Sequence, residues 1–221
     1  MSLFKLVNNW IKKTRELIFD IIAPHNQNIH KLLQLPPETM RDLLPKSAVF
    51  MKDVFVLFDY QNKLVRLIIK AIKYKNNNNL RRRIAGILYE EIMVMASDTS
   101  LFENSKIVLL PMPMSKLEKR KKNFNQCEEL CKEIKKLDNQ NIEISFNTLK
   151  KIRETKRQTE LSRSEREKNV KNSMKATLQQ DQSRVVIVLD DVYTTGASFK
   201  EARRALLSAG AQRIIGLFIA H

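Results

Sequence analysis

Apolar positions along this chain follow two periods, and their alternation orders the elements. Val185–Leu189 is an unbroken apolar run with no polar residue on either face, which predicts a strand covered on both sides, as in the middle of a parallel sheet. Beyond a polar turn, Phe199, Ala202, Leu206 and Ala209 recur at helical spacing, and Gly210 supplies a stop. Ser198 and Glu201 have the spacing of a capping box, which sets the start of that helix. Arg213–Ala220 is again apolar, so strand, helix and strand predict a right-handed βαβ crossover. Ile107–Leu110 predicts a further short strand, ended by Pro111–Met114. Val49–Phe58, broken at Lys52 and Asp53, predicts one or two strands at a sheet edge, and helices are predicted over 63–73, 80–95 and 126–136. The class is α/β, with a central, mainly parallel sheet flanked by helices.

Ahead of that domain, Leu3, Val7, Trp10, Leu17 and Ile21 share one seam and predict an amphipathic helix over 3–22. Residues 24–46 turn polar and are interrupted by Pro36, Pro37 and Pro45; they read as a linker or small cap with a short helix near 38–44. The expected organisation is an N-terminal helical extension, 1–48, and one α/β domain, 49–221.

Composition narrows the picture only slightly. The 221 residues, 43% of them hydrophobic, suffice for one cored domain plus an accessory element. No run of about 18 apolar residues and no signal-peptide pattern is present, which predicts a cytoplasmic protein with no transmembrane segment. Forty basic against twenty-four acidic residues give a charge of +16 and favour phosphate-rich partners, although a lysine-rich composition throughout gives the same balance. Cys127 and Cys131 are the only cysteines, and two thiolates cannot close a zinc site; they read as reduced residues on one helix face, turned inward with Leu130 and Ile134.

Candidate chemistry gathers where the central strand ends. Asp190 and Asp191 follow Leu189 directly, at the carboxyl edge where open α/β sheets bind ligands. Thr194, Thr195, Gly196, Ala197 and Ser198 then form a turn of small residues feeding a helix, whose successive N–H groups suit a phosphate. Ionised carboxylates accept hydrogen bonds from neighbouring hydroxyls, so acid pair and turn together describe a site for a 5-phosphorylated ribose. With glycines only at 86, 196, 210 and 216, neither a Walker A loop nor GxGxxG can be built.

The stretch Val188–Ser198, Val-Leu-Asp-Asp-Val-Tyr-Thr-Thr-Gly-Ala-Ser, resembles the phosphoribosyl-pyrophosphate (PRPP) signature of type I phosphoribosyltransferases, and more narrowly that of the ComF/GntX competence-protein family. The resemblance runs from about Tyr60 to the C-terminus. It implies the type I phosphoribosyltransferase fold, ribose hydroxyls on Asp190 and Asp191, the 5-phosphate on 194–198, and pyrophosphate cradled by the Pro111–Met114 loop. Lys122-Asn-Phe-Asn-Gln126 is similar to the family's Arg-Gly-Phe-Asn-Gln element. Asn123 can hold the left-handed turn, while Lys122 keeps the charge but not the bidentate fork of arginine. Arg153, Thr155, Gln158, Leu161, Arg166 and Asn169 fall on a second family pattern, within a segment, 149–171, that on composition alone is a solvated basic surface. Arg153, Lys156, Arg163 and Arg166 are the implied cations for a departing pyrophosphate, with Mg²⁺ bound mainly through PRPP itself. Ile72-Lys-Tyr-Lys75 resembles the element leading into the family's catalytic domain, and Lys73 there reads either as an anion contact or as a solvated lysine. ComF-like chains carry a four-cysteine zinc module near 24–46; with no cysteine before 127, it is absent or replaced here.

Two functions follow from the resemblance. One is binding of PRPP and magnesium with transfer of phosphoribose to a nitrogen acceptor. The other is a non-enzymatic competence protein that assists single-stranded DNA uptake, its PRPP site regulatory or vestigial. Single-strand binders interleave aromatic platforms with basic residues, and the basic runs of this sequence contain only Phe124.

Overall fold

The computed structural model describes residues 25–49, 51–74, 77–97, 106–138, 141–155, 163–178 and 184–221. The helix expected over 3–22 falls outside them, as do Lys156, Gln158 and Leu161. The main sheet is built from β1 (Val54–Phe58), β2 (Lys106–Pro111), β3 (Ile142–Ile144), β6 (Arg184–Val192) and β7 (Arg213–Ala220). Its order is β1-β7-β6-β2-β3 and every pairing is parallel. The apolar run foreseen as a central strand is therefore central: β6 lies between β7 and β2, and Val185–Leu189 are fully buried. β1 is the expected edge strand, and the break before it is a turn with Asp53 at φ 61°.

Period-two alternation in β6 feeds two apolar layers. Val185, Ile187 and Leu189 join one core with the helices α1 (His25–Gln34), α2 (Pro37–Leu43), α3 (Lys63–Tyr74), α4 (Asn78–Ser97) and α6 (Gln126–Leu137). Val186 and Val188 join the other with α8 (Ala197–Ser208), through Phe199, Ala202, Ala205 and Leu206. Helix α3 shows why these segments are helical, since Val65, Ile68, Ile69 and Ile72 repeat at three and four residues and all are buried. The remaining described elements are α5 (Lys116–Lys122), α7 (Arg163–Val170) and the antiparallel pair β4 (Leu149–Lys151) and β5 (Met174–Ala176).

Three local expectations are corrected. Residues 24–46, expected to be a linker or cap with a short helix near 38–44, hold that helix as α2 and a further one, α1, and their Ile29, Leu32 and Met40 are buried in the main core. The capping box at Ser198 and Glu201 does not form: α8 starts at Ala197, its cap is Gly196, and no side chain closes it. Glu201 is drawn inward instead, accepting from the Met174 N–H at 3.0 Å and pairing with Arg204 at 2.8 Å, so that it fastens β5 to α8. A capping box does form at Ser115 and Glu118, opening α5. The basic segment 149–171 is only partly solvated surface, since β4 is anchored by buried Leu149 and α7 by buried Val170.

Candidate functional site at the carboxyl edge of the sheet

β6 carries the acid pair into the last turn of its ladder, with Asp190 beside Phe218 of β7 and Val192 beside Ala220. Strand alternation sends the two carboxylates to different surroundings. Asp191 is buried, and both its oxygens are taken: Lys73 Nζ lies 2.9 Å from Oδ1, and the Gln126 side-chain amide donates to Oδ2. Asp190 is half-buried; its Oδ1 accepts from the Asp191 N–H at 2.8 Å and faces Cys127 Sγ at 3.6 Å. Asp191 is thus the anchored member of the pair and Asp190 the one nearer solvent.

Burial, reinforced by the charge of Asp191, pushes the Asp190 carboxyl up to about 7. Burial alone would lower the Lys73 ammonium, but Asp191 and then Asp190 outweigh it and hold it above the ordinary lysine range. Burial, followed by the two carboxylates, also drives the Cys127 thiol well up, so it is protonated at neutral pH.

Lys73, Gln126 and Cys127 were not among the expected site residues, although two of them stood in legible motifs. Lys73 occupies the Ile72–Lys75 element at the end of α3, and the geometry resolves its two readings: it is an ion-pair partner rather than a solvated lysine. Gln126 ends the Lys122–Gln126 element, whose turn is held by Asn123 at φ 63°. Asn125 then caps α6 by accepting from Cys127 N–H at 2.9 Å, while its amide donates to Met112 O at 3.0 Å. That bond ties the Pro111–Met114 loop to the start of α6, and Met112 N–H donates to Leu189 O at 2.8 Å, so the loop lies directly beside the acid pair.

Downstream, the turn 194–196 leads into α8. Gly196 adopts φ 72°, and a Cβ there would come within 2.3 Å of the Tyr193 hydroxyl, so any side chain at this position is strained and must displace the Tyr193 ring. The Tyr193 ring is fixed edge-on to Phe218, with centroids 4.9 Å apart. Thr195 Oγ1 accepts from Ala197 N–H at 3.4 Å, and Thr194 is exposed. Thr194, Thr195, Gly196, Ala197 and Ser198 thereby lie where β6 ends and α8 begins, immediately downstream of the acid pair.

The basic residues are distributed differently. Lys122 Nζ lies 5.2 Å from the ring centroid of Tyr74, the residue after Lys73 at the end of α3. Arg153 donates to the carbonyls of Asn169 and Lys171 at 2.9 and 2.8 Å, closing the C-terminal end of α7. Arg163 and Arg166 are carried by α7 itself.

Cys127 Sγ and carboxylate oxygens of Asp190 and Asp191 lie within 4.8 Å of one another. Magnesium demands hard oxygen ligands and keeps much of its water. A protonated thiol is no such ligand and both Asp191 oxygens are engaged, so Asp190 is the residue that could touch Mg²⁺ carried in on a ligand's own oxygens.

A five-stranded parallel α/β sheet flanked by helices, with an anchored acid pair and a glycine-capped helix turn at its carboxyl edge, is compatible with a phosphoribosyltransferase-like fold. The chain is 25% identical over 167 residues to competence protein F of Haemophilus influenzae, covering 73% of this chain and 70% of that one. It is 28% identical over 148 residues to DNA utilization protein YhgH of Salmonella typhimurium, and 26% identical over 147 residues to YhgH of Escherichia coli. The match spans 63% of each YhgH protein, a little under two thirds. No family model matches the chain. These similarities relate the chain to the ComF family of competence proteins. Among the described residues, no helix is long and apolar enough to cross a membrane.

Proposed function

We propose that the protein binds PRPP at the carboxyl edge of β6 and that this site serves DNA utilization, the role for which its YhgH relatives are named. The observation that carries the reading is the acid pair opening onto the Gly196 turn, because a sugar with adjacent hydroxyls and a 5-phosphate needs acceptors and N–H donors one turn apart. Asp190 accepts from the ribose hydroxyls. Asp191, fixed by Lys73 and Gln126, holds Asp190 in place by donating its own N–H to it. The N–H groups of the 194–198 turn receive the 5-phosphate, and the Pro111–Met114 loop faces the pyrophosphate. Magnesium would neutralise pyrophosphate charge when brought in with the ligand.

A second reading, transfer of phosphoribose to a nitrogen acceptor, is favoured by Lys122 lying over the ring of Tyr74, the residue that follows Lys73, as a cation available to a departing pyrophosphate. Binding does not require it. The test of the first reading is thermal: PRPP with Mg²⁺ at about one hundred times its Kd should stabilise the protein by about 2.7 kcal/mol, and ribose 5-phosphate less. No shift with either ligand at millimolar concentration would overturn it.

A further inference from the structure

We propose that one face of α5, Leu117 framed by Lys116, Arg120 and Lys121, docks an acidic segment of another protein that carries an apolar anchor. The proposal stands apart from the PRPP reading and survives its failure. α5 places five cations and one carboxylate in seven residues, none of them buried. At 100° per residue these divide into two faces. One face is engaged: Glu118 lies 3.8 Å from Lys151, Lys119 pairs with Glu128 at 3.0 Å, and Lys122 stands over the Tyr74 ring. The other carries Lys116, Leu117, Arg120 and Lys121, neighbours at three and four positions and all exposed, Leu117 by 49%. Among the described residues no carboxylate pairs with Lys116, Arg120 or Lys121.

The surface next to α5 repeats this character. Glu154 accepts from the Leu117 N–H at 3.1 Å and, with the Lys151 pair, sets α5 against the end of β4, whose Ile152 is 61% exposed. Lys150 of β4 and Lys175 of β5 stand directly opposite in the antiparallel register, both exposed. Like charges at opposed positions destabilise a strand pair, so folding does not account for them. Charge and shape then choose the occupant. A second copy of this chain carries the same surplus, +16 in all, and is repelled. A nucleic-acid strand wants rings on which its bases stack, and this face of α5 has none. A lipid surface takes an apolar stripe along a helix, whereas α5 offers one leucine in about 10 Å of length. An apolar centre within a polar rim is the anatomy of a protein–protein contact, and three unpaired cations make the complementary rim acidic.

The experiment is fluorescence anisotropy of the full chain with a labelled peptide of aspartate and glutamate bearing leucine anchors, and with the same peptide carrying serine for leucine. The leucine peptide should bind roughly tenfold more tightly, and Leu117→Ser should remove that preference while leaving the serine peptide unaffected. Combined Lys116→Gln, Arg120→Gln and Lys121→Gln should weaken both peptides and flatten their salt dependence. All are surface changes, and unchanged melting temperatures confirm the fold. Failure of both peptides to bind at millimolar concentration, or a leucine preference that Leu117→Ser leaves intact, would overturn the docking face. An oligothymidylate or anionic lipid vesicles that displace the bound leucine peptide, and that bind Leu117→Ser as tightly as the wild type, would give the cations to nucleic acid or lipid and overturn the acidic partner.

Discussion

Replacing Lys73 by methionine, which keeps the stem and removes the charge, leaves the Asp191 carboxylate buried with Gln126 alone. The Asp191 side chain is 7% exposed and that of Lys73 23%, so the pair is largely withdrawn from water but not sealed. Removing one partner of a fully buried pair costs about 3–5 kcal/mol, and the partial exposure of Lys73 places this variant near the lower bound, about 3 kcal/mol. For a chain of this length, with about 2–4 °C per kcal/mol, the melting temperature should fall by about 6–12 °C. Most of that loss is an uncompensated charge rather than a lost attraction. Adding Asp191→Asn to Lys73→Met should therefore recover about 2 kcal/mol, measured as a double-mutant cycle by urea unfolding at pH 7.5. The pH window follows from the direction of the shift. Because Lys73 is held above its ordinary range in the folded state, its contribution is fully present below about pH 10 and is lost only as the pH rises past that. A cost below about 1 kcal/mol for Lys73→Met, or strict additivity in the cycle, would refute the view that this pair anchors the site.

Three further outcomes follow from the same geometry. The Asp190 carboxyl, raised to about 7, takes up its proton more readily folded than unfolded; Asp190→Asn should thus raise the melting temperature at pH 8, with the gain fading as the pH falls toward about 4. Gly196→Ala must place a Cβ at positive φ against the Tyr193 ring, so it should cost at least about 1–2 kcal/mol by thermal denaturation and abolish any stabilisation by ribose 5-phosphate. Cys127 and Cys131 are buried with thiols held in the protonated form, so native protein should react with a thiol reagent only at the rate at which it unfolds, and a rapid stoichiometric reaction would contradict their placement.

Where burial alone decides the structure, the sequence was a sufficient guide. The apolar run of β6 and the spacing in α3 and α6 demanded covered surfaces; both helices end within a residue of expectation, whereas β6 runs three residues past its apolar run and takes the acid pair into the strand. Side-chain hydrogen-bond signals were less reliable because they compete. Ser198 and Glu201 have the spacing of a capping box, yet Glu201 finds a better-buried partner in the Met174 N–H and Arg204, an arrangement that requires β5 to be in place first. Ser115 and Glu118 have the same spacing and no such rival, and their box forms. The acid pair was legible as chemistry, but not its asymmetry. That Asp191 is anchored and Asp190 faces the open side depends on Lys73 and Gln126 arriving from α3 and α6, far away in sequence. The helix α1 was hidden by the prolines beside it, although Ile29 and Leu32 already carried its period.

The central claim is that Asp190 and the Gly196 turn form a site for PRPP. Calorimetric titration of PRPP with Mg²⁺ into the wild-type protein and into Asp190→Asn tests it most directly. A saturable one-site heat is expected for the wild type and its loss in the variant, which retains a cooperative unfolding transition. Absence of heat at millimolar PRPP, or an affinity that Asp190→Asn leaves unchanged, would contradict it.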